Sequence, residues 1–359
     1  MFMSVGKSLK KLAGPVLITG HTGFKGTWAT LLMESMGLEV VGFSLEPEKE
    51  SLYTKLNRRN SIPEIFGDIR NFDSIDKSIK YFNPSIVFHF AAQPLVLKSF
   101  LNPRLTFETN TLGTVNLVDS AFNNKGTKVI TVVTSDKVYR NDNKDISFNE
   151  GNDLFGKDPY SASKVGAELA VSTWQNIRDI DGGPTIIAVR AGNVIGGGDT
   201  AENRLIPDLI SSLFKNEKLI IKNPNSTRPW QHVLDPLVGY LMATEKAINR
   251  HDLESFNFGP SDSSLSVDEV VKISVDAWDP KSQIEIIYNE PKVNLESINL
   301  SLDSNKAKTI LNWTPIWNQK EAIVLTIDWW KKYLLGSISP LDCTLSDIEL
   351  AFTILRNRN

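Results

Sequence analysis

Short apolar runs alternate with amphipathic stretches through the first half of the chain. The continuous apolar runs VLIT (16–19), EVVGFS (39–44), SIVFHF (85–90), KVITVVT (128–134) and TIIAVR (185–190) predict buried strands. Between them, helical spacing of apolar positions predicts helices over 27–36, 72–82, 112–123 and 161–174. Gly37 is placed to end the first of these helices, and Pro84 follows the second. Strand and helix alternating at this interval imply a parallel sheet covered on both faces. After Gly192 the regularity fails. Residues 196–236 are rich in Gly, Pro, Asn and Arg, which suits a binding loop. Residues 237–335 mix helical stretches with one short strand, IEIIY at 284–288, and predict a smaller lobe.

Composition agrees with a globular chain. The 359 residues are 41% hydrophobic and 23% charged, which supplies a sizeable core and excludes a disordered polymer. A formal net charge of -3 argues against nucleic acid bound through a basic surface. The single cysteine, Cys343, cannot form an internal disulfide, and four histidines beside it offer little for a structural zinc site, so no metal is expected. No apolar run reaches the roughly 18 to 20 residues that span a bilayer. The basic residues before Val16 resemble the start of a signal peptide, but the apolar stretch behind them is too short. The expectations are a loose leader over 1–13, no membrane partner and a cytoplasmic location.

VLITGHTGFKG places Gly20, Gly23 and Gly26 directly after the first strand and at the opening of the first helix. Gly20 permits the tight turn, Gly23 lets a diphosphate approach the backbone, and Gly26 allows close helix–strand contact. Phosphates would then sit over the free N–H groups of the helix start. Thr22, Phe24 and Lys25 fall in the same loop. The fold class expected is α/β: a Rossmann-type doubly wound parallel sheet over 14–192, a smaller C-terminal α/β substrate-binding lobe over 193–335 with some chain exchange, and a tail from 336 to 359. Ser44 ends the second strand, where the adenosine ribose is read. Glu46 follows with no adjacent arginine, which indicates NAD rather than NADP. Asp68 and Ile69 suit an adenine pocket, although Asp68 also fits a simple turn.

DPYSASKVGAEL sets Tyr160 and Lys164 four residues apart on one helical face. An ammonium next to a phenol, together with a positive nicotinamide ring, favours the phenolate, so Tyr160 can act as a base, although surface Tyr/Lys pairs are common. Thr134 closes the preceding strand, with its hydroxyl expected at the carboxyl edge of the sheet.

GHTGFKG, HFAAQPLV, TSDKVY, YSASK, RAGNVIGGGD, NRLIPD and RPWQHVLDPL together resemble the extended short-chain dehydrogenase/reductases, over roughly residues 14–335. Within them the chain looks like the CDP-glucose 4,6-dehydratases. That resemblance implies NAD as a tightly held reagent and a sugar nucleotide, CDP-glucose, as substrate. It implies that Tyr160 takes the proton of the sugar 4-hydroxyl, that Lys164 holds the nicotinamide ribose, and that Thr134 bonds the developing keto oxygen. Asp136 would protonate the departing 6-hydroxyl and Lys137 would assist at C5; Lys137 could equally pair with a carboxylate while another group takes that proton. Ala91, Ala92 and Gln93 would line the meeting point of cofactor and sugar, with Asn110 bracing the strand beside the catalytic tyrosine. Asn193, Asn203, Arg204, Leu205, Arg228 and His232 would hold the nucleotide, the arginines by fork geometry on its diphosphate. Arg228 could instead form an ion pair and His232 be packed. The chain departs from the family pattern at Val138, Thr200 and Asn203. Trp313, Trp317, Trp329 and Trp330 read as packing. The helices at 112–123 and 161–174 would pair two copies into a homodimer or homotetramer, although Leu117, Ala121, Ala167 and Val171 also suit a monomer core.

Overall fold

The computed structural model describes residues 2–142, 146–221, 223–279, 281, 284–288 and 299–358. Seven strands form one sheet: β1 (Val16–Thr19), β2 (Val40–Ser44), β3 (Glu64–Phe66), β4 (Ile86–His89), β5 (Val129–Val133), β6 (Thr185–Ala191) and β7 (Ser255–Phe258). Their order is β7-β6-β5-β4-β1-β2-β3, with every neighbour parallel. The chain winds outward through β2 and β3, then returns to β4 beside β1 and winds the other way. The carboxyl ends of β1 and β4 are therefore the switch point, where such sheets open a crevice.

Alternation along each strand feeds two cores. Val16, Ile18, Ile86, Phe88, Ile187 and Val189 face one side, and Leu17, Val87, Ile130, Val132 and Ile186 face the other. The covering helices are α1 (Phe2–Leu9), α2 (Phe24–Ser35), α3 (Phe72–Phe82), α4 (Gly113–Asn123), α5 (Pro159–Asp181), α6 (Leu205–Lys215), α7 (Leu234–Ala247), α8 (Val267–Trp278), α9 (Gln319–Leu334) and α10 (Pro340–Asn357). Trp28 and Leu32 of α2 and Leu237 and Leu241 of α7 fill the first core. Ile75 and Ile79 of α3, Leu117 and Val118 of α4 and Val171 of α5 fill the second.

Local chemistry sets the helix ends. Asn71 caps α3 by accepting the Ser74 N–H, and Asn83 ends it in the left-handed region at φ 46°. Asp158 and Ser161 form a reciprocal capping box at the start of α5. That helix runs seven residues beyond the expected 174 and stops at Gly182, φ 78°. The polar run QNIRDID conceals the extension, because Gln175 and Arg178 are buried polar residues.

Two expectations change, and a third, the exchange of chain between the two stretches, takes a definite form. Residues 2–9 are the helix α1, whose Val5 and Leu9 are buried with α7 and α10, so this stretch is not a loose leader. Residues 340–357 form α10, packed on α9 and α2 through Cys343, Ile348, Ala351 and Phe352, and are no tail. β7 lies within the stretch assigned to the second lobe yet completes the main sheet beside β6. No helix among the described residues is long and apolar enough to cross a membrane.

Candidate active site

The glycine loop stands at the switch point. Gly20 has φ 73°, and a Cβ there would lie 2.7 Å from the Ala91 nitrogen; a Cβ on Gly26 would lie 2.1 Å from the Gly20 carbonyl oxygen. Any side chain at either position would collide with this backbone and displace the loop. α2 starts at Phe24 with Gly23 as its N-cap and no side chain on its first N–H groups, which leaves them to an anion. The cofactor-loop residues thus fit a dinucleotide diphosphate. Ser44 is buried at the end of β2, and its hydroxyl bonds that of Thr22 at 2.7 Å. Arg59, distant in sequence, folds back to pair with Glu46 and lies 4.7 Å over the Phe66 ring, so the adenosine end does carry an arginine. Asp68 accepts the Arg70 guanidinium and its N–H in a turn and stays partly exposed, and Ile69 packs into the core against Gly113.

Tyr160 and Lys164 sit in the first two turns of α5, both buried. Lys164 Nζ donates to the Val133 carbonyl at 3.0 Å. Past β5 the chain is extended at Ser135 (φ -159°, ψ 154°) and turns through Asp136–Val138. The Ser135 hydroxyl donates to Asp136 Oδ1 at 3.1 Å and also bonds the Tyr160 phenol. Thr134 points elsewhere: its hydroxyl donates to Glu168 at 2.5 Å. Successive residues of an extended chain face opposite ways, so Ser135 occupies the place expected for Thr134. The two adjacent hydroxyls in TSDK left that choice to strand parity.

Burial governs the charges. It raises the Asp136 carboxyl, against the pull of Lys137, Ser135, Arg228 and Lys25. Oδ2 of Asp136 has no partner among the described residues. The group is thereby biased toward its protonated, acid form. Burial also raises the Tyr160 phenol to about 12, opposed by its bond to Ser135 and by Arg204. It lowers Lys164 to about 7, with Lys25 adding to the fall and Glu168 opposing it. Lys25 falls to about 8 by burial and by Arg204, against Asp136 and Asp199. The chain's own groups therefore do not depress Tyr160, because burial of the phenolate outweighs its Ser135 bond and Arg204; the positive nicotinamide ring is the other half of that expectation.

The irregular loop brings some expected residues to this cluster. Arg204 pairs with Asp199 at 3.0 Å and acts electrostatically on Tyr160 and Lys25. Arg228, buried, acts on Asp136. Asn193 opens the strand 193–195, paired with 230–232, and Leu205 opens α6. Asn203 is exposed in the left-handed region, φ 59°. Trp28 Nε1 donates to the Gly197 carbonyl at 3.0 Å and ties this loop to α2. His232 is not among them. Its ring is fully buried, 5.7 Å from Trp28 and 4.9 Å from Trp317, with Nε2 3.8 Å from Asp347 of α10. It is a packed histidine that burial pushes down to about 3. The Gln93 amide is committed to Leu95 and Thr106, so it braces its loop rather than reaching for a sugar. Asn110, in a widened helical turn at Glu108–Leu112, bonds the Gln93 backbone and the Ser163 hydroxyl, and links the Ala91–Ala92 loop to the catalytic helix.

The family model described as GDP-mannose 4,6 dehydratase matches residues 17–326. A CDP-glucose 4,6-dehydratase of Salmonella typhimurium is 40% identical over 344 residues, covering 93% of this chain and 95% of that one. Among solved structures, DesIV of Streptomyces venezuelae, a dTDP-glucose 4,6-dehydratase with NAD and TYD bound, superposes with TM-score 0.76 at 21% identity, covering 91% of this chain and 99% of that one. The UDP-glucose 4-epimerase of Thermus thermophilus with NAD gives 0.77 at 22% identity over 90% and 100% of the two chains; both likenesses speak to the fold. The chain belongs to the GDP-mannose 4,6-dehydratase family, extended short-chain dehydrogenase/reductases on a Rossmann-type sheet, and within it stands with the CDP-glucose 4,6-dehydratases.

Proposed function

We propose that the protein is an NAD-dependent CDP-glucose 4,6-dehydratase, a hydro-lyase that forms CDP-4-dehydro-6-deoxyglucose and water for deoxysugar and polysaccharide synthesis. The observation that carries this reading is a buried acid, Asp136, followed by Lys137 and joined through Ser135 to Tyr160. An epimerase needs no such acid beside its tyrosine.

The loop Gly20–Gly26 would hold the cofactor diphosphate, with Lys164 on the nicotinamide ribose. Bound NAD supplies the hydride acceptor for C4 and later the donor for C6, and its positive ring adds the charge that favours the Tyr160 phenolate. Tyr160 takes the 4-hydroxyl proton and Ser135 bonds that oxygen as it becomes a carbonyl. The carbonyl acidifies the C5 hydrogen; Lys137, half-buried on the same turn, would take it as a proton in its free-amine form and give it back to C5 once C6 has received hydride. Asp136 gives its proton to the leaving 6-hydroxyl, which departs as water. Arg204 and Arg228 hold the substrate diphosphate, with Asn193, Asn203 and Leu205 along the nucleotide. The same reading includes a cytoplasmic enzyme and a homodimer or homotetramer; Leu112 and Leu169, 55% and 60% exposed on the α4–α5 side, support pairing there.

The test is a panel of CDP-, dTDP-, GDP- and UDP-hexoses with deuterium at C4. CDP-glucose should give a 4-keto-6-deoxy product carrying the label at C6. Turnover on another nucleotide alone would refute the base assignment, and a product retaining its 6-hydroxyl would refute dehydration.

A further inference from the structure

Tyr160, Lys164 and Glu168 recur every four residues on α5 and form one stripe. The Glu168 carboxylate is buried in a chain of bonds that the mechanism above does not use. It accepts the Thr134 hydroxyl at 2.5 Å, and Arg190 Nε and Nη2, each at 2.8 Å. Arg190 Nη1 donates to the Tyr139 hydroxyl at 2.7 Å, which donates in turn to Asn257 Oδ1 at 2.7 Å. All five residues are at most 5% exposed. The chain thus ties the catalytic helix to the carboxyl ends of β5, β6 and β7, directly beneath the turn that bears Ser135 and Asp136. A buried ion pair is weak evidence for stability, since an apolar replacement often serves as well, so its placement calls for another account.

We propose that Glu168 is a positioning residue of the reaction: held by two bonds from Arg190, it grips the Thr134 hydroxyl and so fixes how Ser135 and Asp136 meet Tyr160. This rests on the roles given above to Tyr160, Ser135 and Asp136. The charged groups that act on the Tyr160 phenol are Asp136, Arg204 and Asp158, and neither variant below alters them. Arg190 is turned away into the carboxylate.

Thr134→Val removes only the grip, and Glu168→Gln removes the charge. In the NAD-bound protein, both should lower kcat about tenfold at neutral pH with KM unchanged, and should displace the acid limb of the pH profile upward by about half a unit, because the phenol loses the Ser135 bond that favours its ionisation. A loss of melting temperature with kcat and the acid limb as in the parent would overturn the proposal. If Glu168→Gln does not fold, Thr134→Val decides it on the same readouts. If the parent turns over no sugar nucleotide, the assigned function fails on its own. The inference is then read from the ultraviolet titration of the Tyr160 phenol, taken as the difference from Tyr160→Phe; an unmoved midpoint in both variants sinks it.

Discussion

Asp136→Asn separates the two halves of the proposed chemistry. The carboxyl is 3% exposed and holds one bond, from Ser135 to Oδ1 at 3.1 Å, while Oδ2 lacks a partner among the described residues. Asparagine has the same shape and keeps an oxygen for Ser135. Its NH2 group replaces an oxygen that made no bond. Burial already biases the carboxyl toward neutrality, so the fold should shift by no more than about 1 kcal/mol. What the amide cannot do is give a proton to a leaving hydroxyl. A positioned acid contributes about 10²- to 10⁴-fold, or about 3 to 5 kcal/mol of barrier. Tyr160, Ser135 and Lys164 are untouched, so oxidation at C4 should continue. Mixed with CDP-glucose in a stopped-flow cell, the variant should build up the near-ultraviolet absorbance of reduced nicotinamide, while NMR shows almost no 6-deoxy product. Turnover within about threefold of the parent, or loss of C4 oxidation in step with elimination, would refute the acid role.

Four further outcomes are expected. Ser135→Ala should cut kcat about a hundredfold by removing a donor to the developing carbonyl; activity equal to the parent would return that role to Thr134. Gly26→Ala drives a Cβ to 2.1 Å from the Gly20 oxygen, so calorimetry should find NAD affinity at least about a hundredfold lower in the folded variant, and undiminished binding would contradict the cradle. Leu9→Ala empties a buried site between α1 and the core and should cost about 2 to 4 kcal/mol in urea unfolding; a change near zero would mean that α1 does not dock. Asp347 is raised to about 8 by burial, so folding favours its protonated form: stability is greatest below the ordinary carboxylate range and declines as pH climbs toward 8. Asp347→Asn should therefore melt increasingly higher than the parent as pH is taken from acid to mildly alkaline, and a constant gap would count against that linkage.

The residue order by itself determined the alternation of strands and helices, the glycine cradle and the pairing of Tyr160 with Lys164. Each is a local property: a period of two or 3.6, a turn that admits no side chain, one helical face. Parallel strands buried on both faces announce themselves as unbroken apolar runs, which is why β1, β2, β4, β5 and β6 were legible. Tertiary structure decided what depends on distant partners. α1 and α10 are helices of the core because α7, α9 and α2 offer them apolar faces. Two aromatic rings from opposite ends of the chain enclose His232, and a mid-chain polar histidine gives no sign of that. Arg59 reaches Glu46 only after the chain folds back, and Gln93 spends its amide on a neighbouring loop. The choice of Ser135 over Thr134 turned on the direction in which an extended backbone leaves the sheet, since Glu168 stands on one side of that step and Tyr160 on the other. Such facts come from where remote segments meet, and sequence spacing carries no record of it.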